Sequence, residues 1–143
     1  MKTTSPRPDS ETFYTALVEF LIMAKHELFA LARESGLTNI QTLSLLFVGP
    51  DEPQPMHNLS KFLGCDASNV TGIIDGLERK KLMSRTEHPG DRRIKMVTLE
   101  PEGFKVRQRI IEGLSKNSNF IVSKLTPAEL HEFVHLLQKI TEH

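Results

Sequence analysis

Apolar residues recur every three or four positions from Glu11 to Glu34: Phe13, Leu17, Phe20, Leu21, Ala24, Leu28 and Leu31. That spacing lines one side of a helix, and Gly36 stands at a favoured stop position. Thr38, with Gln41 three residues on, reads as a capping box for a short helix through Val48. Gly49 to Pro55 holds three prolines and two acids, so a loop is expected there. Leu59, Phe62 and Leu63 mark a third helix that Gly64 closes, and Asp66 is a good N-cap for a fourth. In that fourth helix Val70, Ile73, Ile74 and Leu77 share the inner face. Ser68, Thr71, Gly72, Asp75 and Arg79 fall on the other side.

The period then changes. Leu82 to Glu87 reads as a strand, His88-Pro89-Gly90-Asp91 as a turn, and Ile94 to Leu99 as a second, alternating strand. Together they predict a hairpin. Glu100 and Pro101 open a long helix expected to reach about Lys124, with Phe104, Ile111, Leu114, Ile121 and Leu125 as its stripe. Thr126-Pro127-Ala128-Glu129 combines a capping box with proline at the first helical position. Leu130, Phe133, Val134, Leu137 and Ile140 follow on one face of a last helix.

Two short helices joined by a tight turn, the second polar outward, describe a helix-turn-helix. Its second helix suits the major groove, where base edges are distinguishable. A hairpin directly after it, tipped by Arg92 and Arg93, describes a wing. An arginine there suits the narrow, strongly negative minor groove. Charge supports this placement only when it is located. The whole chain has a net charge of zero, which argues against a generic nucleic-acid binder. Between Arg79 and Lys95, however, Arg79, Lys80, Lys81, Arg85, Arg92, Arg93 and Lys95 face only Glu87 and Asp91, a local charge of roughly +5. Such a patch is often just a solvated face. Here it runs from the end of the recognition helix through the wing, where it can track phosphates.

At Asp66 to Leu82, DASNVTGIIDGLERKKL, the chain resembles the recognition helix of the MarR family and its exit. Asp91 to Leu99, DRRIKMVTL, followed by Pro101-Glu102-Gly103, resembles that family's wing. The motif-specific stretch is about 59–103, and the order of helices is similar over the whole chain. The resemblance implies that Arg93 enters the minor groove with Asp91 orienting it. Ser68, Asn69 and Thr71 would face the major groove, and Arg79, Lys80 and Lys81 would hold phosphates or support the wing. Arg92 and Lys95 complete the basic set. Two departures stand out. Gly72 replaces a basic or bulky polar residue found in many members, and Glu100 replaces a capping threonine, for which a carboxylate at a helix start is an acceptable substitute.

The fold class expected is mainly α: a winged helix-turn-helix with a small β-hairpin wing, plus N- and C-terminal helices forming a dimerisation region. Its divisions are one subunit over 1–143, a DNA-binding lobe over 38–100, and dimerisation helices over 11–36 and 101–143. The dimer follows from the resemblance and also from three apolar helical stripes that so small a lobe cannot cover. The partners expected are a palindromic double-stranded DNA operator, a second copy and, by the resemblance, a small-molecule effector bound between the dimerisation helices and the lobes. Repression is the mode the resemblance implies. No apolar run approaches the roughly 20 residues of a membrane span, and the polar N-terminus lacks a signal-peptide core, so a cytoplasmic protein is expected. Hydrophobic residues at 38% and charged residues at 25% fit a globular chain. The single cysteine excludes an internal disulfide.

Two other signals compete. His131-Glu132-Phe133-Val134-His135 matches H-E-x-x-H, in which histidines at i and i+4 chelate zinc and the glutamate acts as base. Gln138 and Thr141 stand where an extended form needs Gly and His, and too little chain follows to build a cleft. The ordinary reading is two polar histidines beside an interface stripe. A zinc-dependent metalloenzyme remains the alternative from another class, beside a winged helix that binds protein. Cys65, in the turn before a helix start, is a candidate redox site or a small packing residue. No enzyme activity and no cofactor are expected.

Overall fold

The computed structural model describes residues 8–116 and 123–141. Its elements run α1 (Ser10–Glu34), α2 (Asn39–Phe47), β1 (Gln54–Pro55), α3 (Met56–Leu63), α4 (Ala67–Arg79), β2 (Met83–His88), β3 (Asp91–Leu99), α5 (Pro101–Lys116) and α6 (Pro127–Thr141). One compact unit holds Phe29–Lys116; the other holds the described residues on either side, 8–28 and 123–141.

Local chemistry starts and stops the helices of the larger unit. Thr38 caps α2: its hydroxyl accepts from the Gln41 amide at 3.2 Å, and the Gln41 side chain accepts from the Thr38 amide at 3.1 Å. Asp66 caps α4 by accepting from the Asn69 amide at 2.9 Å. Between α3 and α4, Gly64 takes the left-handed conformation (φ 64°) that ends a helix without a Cβ penalty. The turn is held there by the Cys65 amide donating to the Ser60 carbonyl at 3.2 Å.

The sheet is antiparallel in the order β1-β3-β2. Its third strand corrects the loop expected over Gly49–Pro55, because Gln54 and Pro55 pair with Val97 and Met96 of β3. Proline is tolerated in so short a strand at a sheet edge. With neighbours on both sides, β3 does not alternate cleanly. Val97 is buried while Met96 and Thr98 are half-buried.

Leu45, Leu59, Ile74, Leu77, Met83, Val97 and Ile110 make the core of this unit. Gly103 is what brings α5 against the root of the hairpin. A Cβ there would lie 1.9 Å from the Leu82 carbonyl oxygen, so only glycine permits the approach. The described part of α5 ends at Lys116. The expectation of helix to about Lys124 is corrected at its far end, where residues 123 and 124 form a turn. Ile121 of the expected stripe lies outside the described residues.

In the smaller unit α6 begins as its sequence dictates. The Thr126 amide donates to Glu129 Oε2 at 2.8 Å, and the Glu129 amide donates back to the Thr126 hydroxyl at 3.3 Å. Phe20 meets Phe133 edge to face at 5.6 Å. Yet no residue of α6 is buried. In α1 the apolar surface is wider than the expected stripe, since Tyr14, Val18, Ile22 and Met23 are exposed beside Phe13, Leu17 and Leu21. Among the described residues, no helix is long and apolar enough to cross a membrane.

Candidate nucleic-acid interface

Helix α4 buries Val70, Ile74 and Leu77, with Ile73 half-buried. That leaves Ser68, Thr71, Gly72 and Arg79 exposed on the side the periodicity assigned them and Asp75 half-buried, with Asn69 exposed as well. All the outward groups of its first two turns are short. Ser68 Oγ donates to Asp66 Oδ1 at 2.9 Å and Thr71 Oγ1 to the Ala67 carbonyl at 2.9 Å. Gly72 faces open space. The helix therefore presents a thin, uncluttered face bearing one amide side chain, Asn69. The Asp66 carboxyl is held below its ordinary value of 3.8, first by the Asn69 amide and then by the Ser68 hydroxyl.

The wing follows from a register change. Glu87 pairs with Lys95 and His88 with Asp91, so Arg92, Arg93 and Ile94 have no opposite residue. Extra residues on one strand bend it and re-aim its side chains. The tip itself is Pro89-Gly90, with the Gly90 amide donating to His88 Nδ1 at 3.0 Å.

Within the bulge Asp91 grips Arg93 in a fork. Arg93 Nε lies 3.0 Å from Oδ1 and Nη2 lies 2.9 Å from Oδ2, and the Arg93 amide donates to Oδ1 at 3.0 Å. Paired N–H donors on a carboxylate fix the plane of a guanidinium. The Arg93 side chain nonetheless remains 91% exposed. This ion pair holds the Asp91 carboxyl below 3.8, chiefly through the guanidinium and secondly through the Arg93 amide, and raises Arg93 further. Arg92 stands 3.9 Å from Glu87, which also accepts from Lys95 at 3.1 Å.

Two of the seven counted cations have internal tasks that spacing does not reveal. Arg85 Nη2 meets Asp75 at 2.6 Å and Glu78 at 2.8 Å, while the Arg85 amide donates to Glu78 at 2.9 Å. Both acids lie just before the counted segment, so the charge offered outward is smaller than the sequence sum. Lys80 donates to the Gly36 carbonyl at 3.1 Å, just past the end of α1. Arg79 and Lys81 are exposed, Lys81 with φ 57° where the chain leaves the helix. Cys65 is half-buried, its carbonyl accepting from the Ser60 hydroxyl.

His131, Glu132 and His135 are exposed on α6, and His131 Nδ1 lies 2.9 Å from the Pro127 carbonyl. Among the described residues, no group of three or more His, Cys, Asp or Glu is placed to hold a metal ion.

Comparisons with known proteins agree with this geometry. The MarR family model matches residues 37–95. The HTH-type transcriptional repressor NicR of Pseudomonas putida is 26% identical over 111 residues, covering 78% of this chain and 70% of its own. Transcriptional regulator Tm0710 of Thermotoga maritima is 27% identical, with a TM-score of 0.67 over 92% of each chain. Sco3205, a MarR family regulator of Streptomyces coelicolor solved in complex with DNA, shares the fold at 18% identity. Its TM-score is 0.71 over 98% of this chain and 92% of its own. Fold and site thus define a winged helix-turn-helix transcription regulator. The chain is similar to regulators of the MarR family.

Proposed function

We propose that the protein is a homodimeric, cytoplasmic repressor that binds a palindromic DNA operator and is released by a small-molecule effector. The observation that carries the DNA reading is the Asp91–Arg93 fork. It spends a carboxylate on orienting an arginine that stays 91% exposed. An oriented, solvated guanidinium on a bulged hairpin suits the minor groove, which is read by width and potential. The bare face of α4 fits the major groove, with Ser68, Asn69, Thr71 and Gly72 against base edges. Arg79, Lys81, Arg92 and Lys95 face phosphates. Lys80 serves the same end indirectly, through its bond to Gly36.

The dimer rests on the exposed apolar faces of α1 and α6, where Tyr14 is 61% and Ile140 75% exposed. A second copy covers them with like surface, as a two-fold interface requires. An operator read in successive major grooves has its half-sites about one DNA turn apart.

A randomised duplex library, bound at two salt concentrations, tests the reading. Arg93→Ala is expected to weaken binding to every sequence, by about 1–3 kcal/mol at the preferred site, and to reduce the salt slope by about one. Asn69→Ala is expected to keep the slope and relax preference at one base pair in each half-site. Uniform weakening by Asn69→Ala, with Arg93→Ala changing neither quantity, would reverse the roles of helix and wing.

A further inference from the structure

We propose that Arg85 is a positioning residue for DNA recognition: by joining β2 to α4, it sets the angle at which the wing carries Arg93 while α4 lies in the major groove. This rests on the DNA reading above. In the sheet order β1-β3-β2, β2 is an edge strand, and its outward amides need partners from elsewhere. At Arg85 that partner is a side chain of the recognition helix. Glu78 Oε1 accepts the Arg85 amide at 2.9 Å, and the guanidinium turns back to Glu78 Oε2 at 2.8 Å and Asp75 Oδ1 at 2.6 Å. Asp75 and Glu78 are three residues apart and so share one side of α4. Strand and helix are therefore tied by three hydrogen bonds from one residue, two of them between charges and only partly exposed.

Position along the hairpin gives the tie its leverage. Its root is fixed by buried Met83 and by the Leu82 amide donating to the Leu77 carbonyl at 2.9 Å. Beyond Arg85, Thr86 and Glu87 are exposed. From Arg85 to the turn at Pro89 is four residues, about 13 Å of strand. A swing of about 10° at Arg85 moves the tip by about 2 Å, which is large against a minor groove about 6 Å wide.

A double-mutant cycle on the full-length protein reads the effect, using the duplex that wild type selects from the library. Arg85→Met is expected to weaken binding about tenfold. In an Arg93→Ala background the same change is expected to cost less than twofold, because there is no longer an arginine to place. Combined with Asn69→Ala, the two losses are expected to multiply, as for independent sites. A merely structural role would lower affinity equally in both backgrounds, and that result overturns the proposal. So does wild-type affinity in Arg85→Met while Arg93→Ala stays weakened. Should Arg85→Met not fold, Arg85→Lys keeps the cation without the planar fork. Its smaller loss must also vanish in the Arg93→Ala background, and a loss that persists overturns the proposal. If Arg93→Ala binds like wild type, the wing reading itself fails, and the role of Arg85 with it.

Discussion

The two compact units carry opposite surfaces. In Phe29–Lys116 the large apolar side chains close on one another, with Leu45, Leu59, Ile74 and Val97 fully buried. What faces outward there is mostly charge and short polar groups, although Phe62 and Ile111 are also exposed. In the smaller unit, Phe13, Leu21, Ile22, Val134, Leu137 and Ile140 remain exposed. A Leu or Ile left in water forgoes roughly 1.5–3 kcal/mol against full burial, so such a row of them is the kind of surface that an interface covers. One unit is finished as a fold and open as a polar site. The other is open as a fold. The first calls for a polyanion and the second for more apolar surface.

The severest way to break this contrast is to open the finished unit from within. In Gly103→Ala the new methyl would meet the Leu82 carbonyl oxygen at 1.9 Å and its carbon at 2.8 Å. Backbone cannot yield as a side-chain end can, so α5 or the hairpin root must move. A loss of about 3 kcal/mol or more is expected, seen as a melting midpoint lower by roughly 10 °C. Gly113→Ala is the control. Its methyl would meet the end of the Leu31 side chain at 2.6 Å, which can rotate, and alanine favours helix by about 1 kcal/mol. Equal destabilisation by the two would mean that the approach at Gly103 is no tighter than ordinary packing.

A smaller effect sharpens the other half. Leu137→Glu puts a charge on the exposed face of α6, at a position outside the unit Phe29–Lys116. It is expected to weaken dimerisation by about 2 kcal/mol or more, since a carboxylate is costly to bury unpaired. Sedimentation should show the 16.2 kDa monomer in the micromolar range where wild type is expected to be dimeric. DNA affinity is expected to fall with it, while the melting of the larger unit holds. A wild type that is monomeric throughout would leave the apolar faces without the partner proposed for them.

How much of this was legible in the sequence depended on distance along the chain. The caps at Thr38, Asp66 and Thr126, the stop at Gly64 and the turn at Pro89-Gly90 each involve residues within a few positions. Their signals survived into the structure. The exposed side of α4 was legible for the same reason, because helical period alone assigns it. Strand β1 was not, because two residues including a proline carry no strand signal and exist as strand only through Val97 and Met96, some forty positions away. The bulge that throws Arg92 and Arg93 outward depends on register, which alternation does not specify. Counting charges placed Arg85 in an outward patch, but its acids are supplied by a neighbouring helix. The residues of the site could thus be read as candidates, but not the tie between its two halves.

The gentlest test separates the units by acid. Carboxyls of both are held low: Asp66 and Asp91 in the larger, Asp9 and Glu129 in the smaller. A carboxyl whose folded value lies below its unfolded value adds stability that is fully present above the unfolded value. That contribution is lost as pH falls through the folded one. For Asp91 the window therefore opens near its ordinary value of 3.8 and runs downward. Asp91→Asn keeps the shape and an acceptor oxygen but has no charge to titrate. The stability gap between wild type and variant is expected to be constant above about pH 5 and to shrink through the acid window. The group is exposed, so the gap is small and should narrow further in high salt. A carbon NMR titration of the Asp91 carboxyl is the direct measure. Its midpoint is expected below 3.8, and in Arg93→Ala it is expected to move back up, since the guanidinium is the first cause of the shift. A midpoint unmoved by Arg93→Ala would mean that the fork does not persist in solution. Arg93 would then reach DNA, if at all, without being aimed.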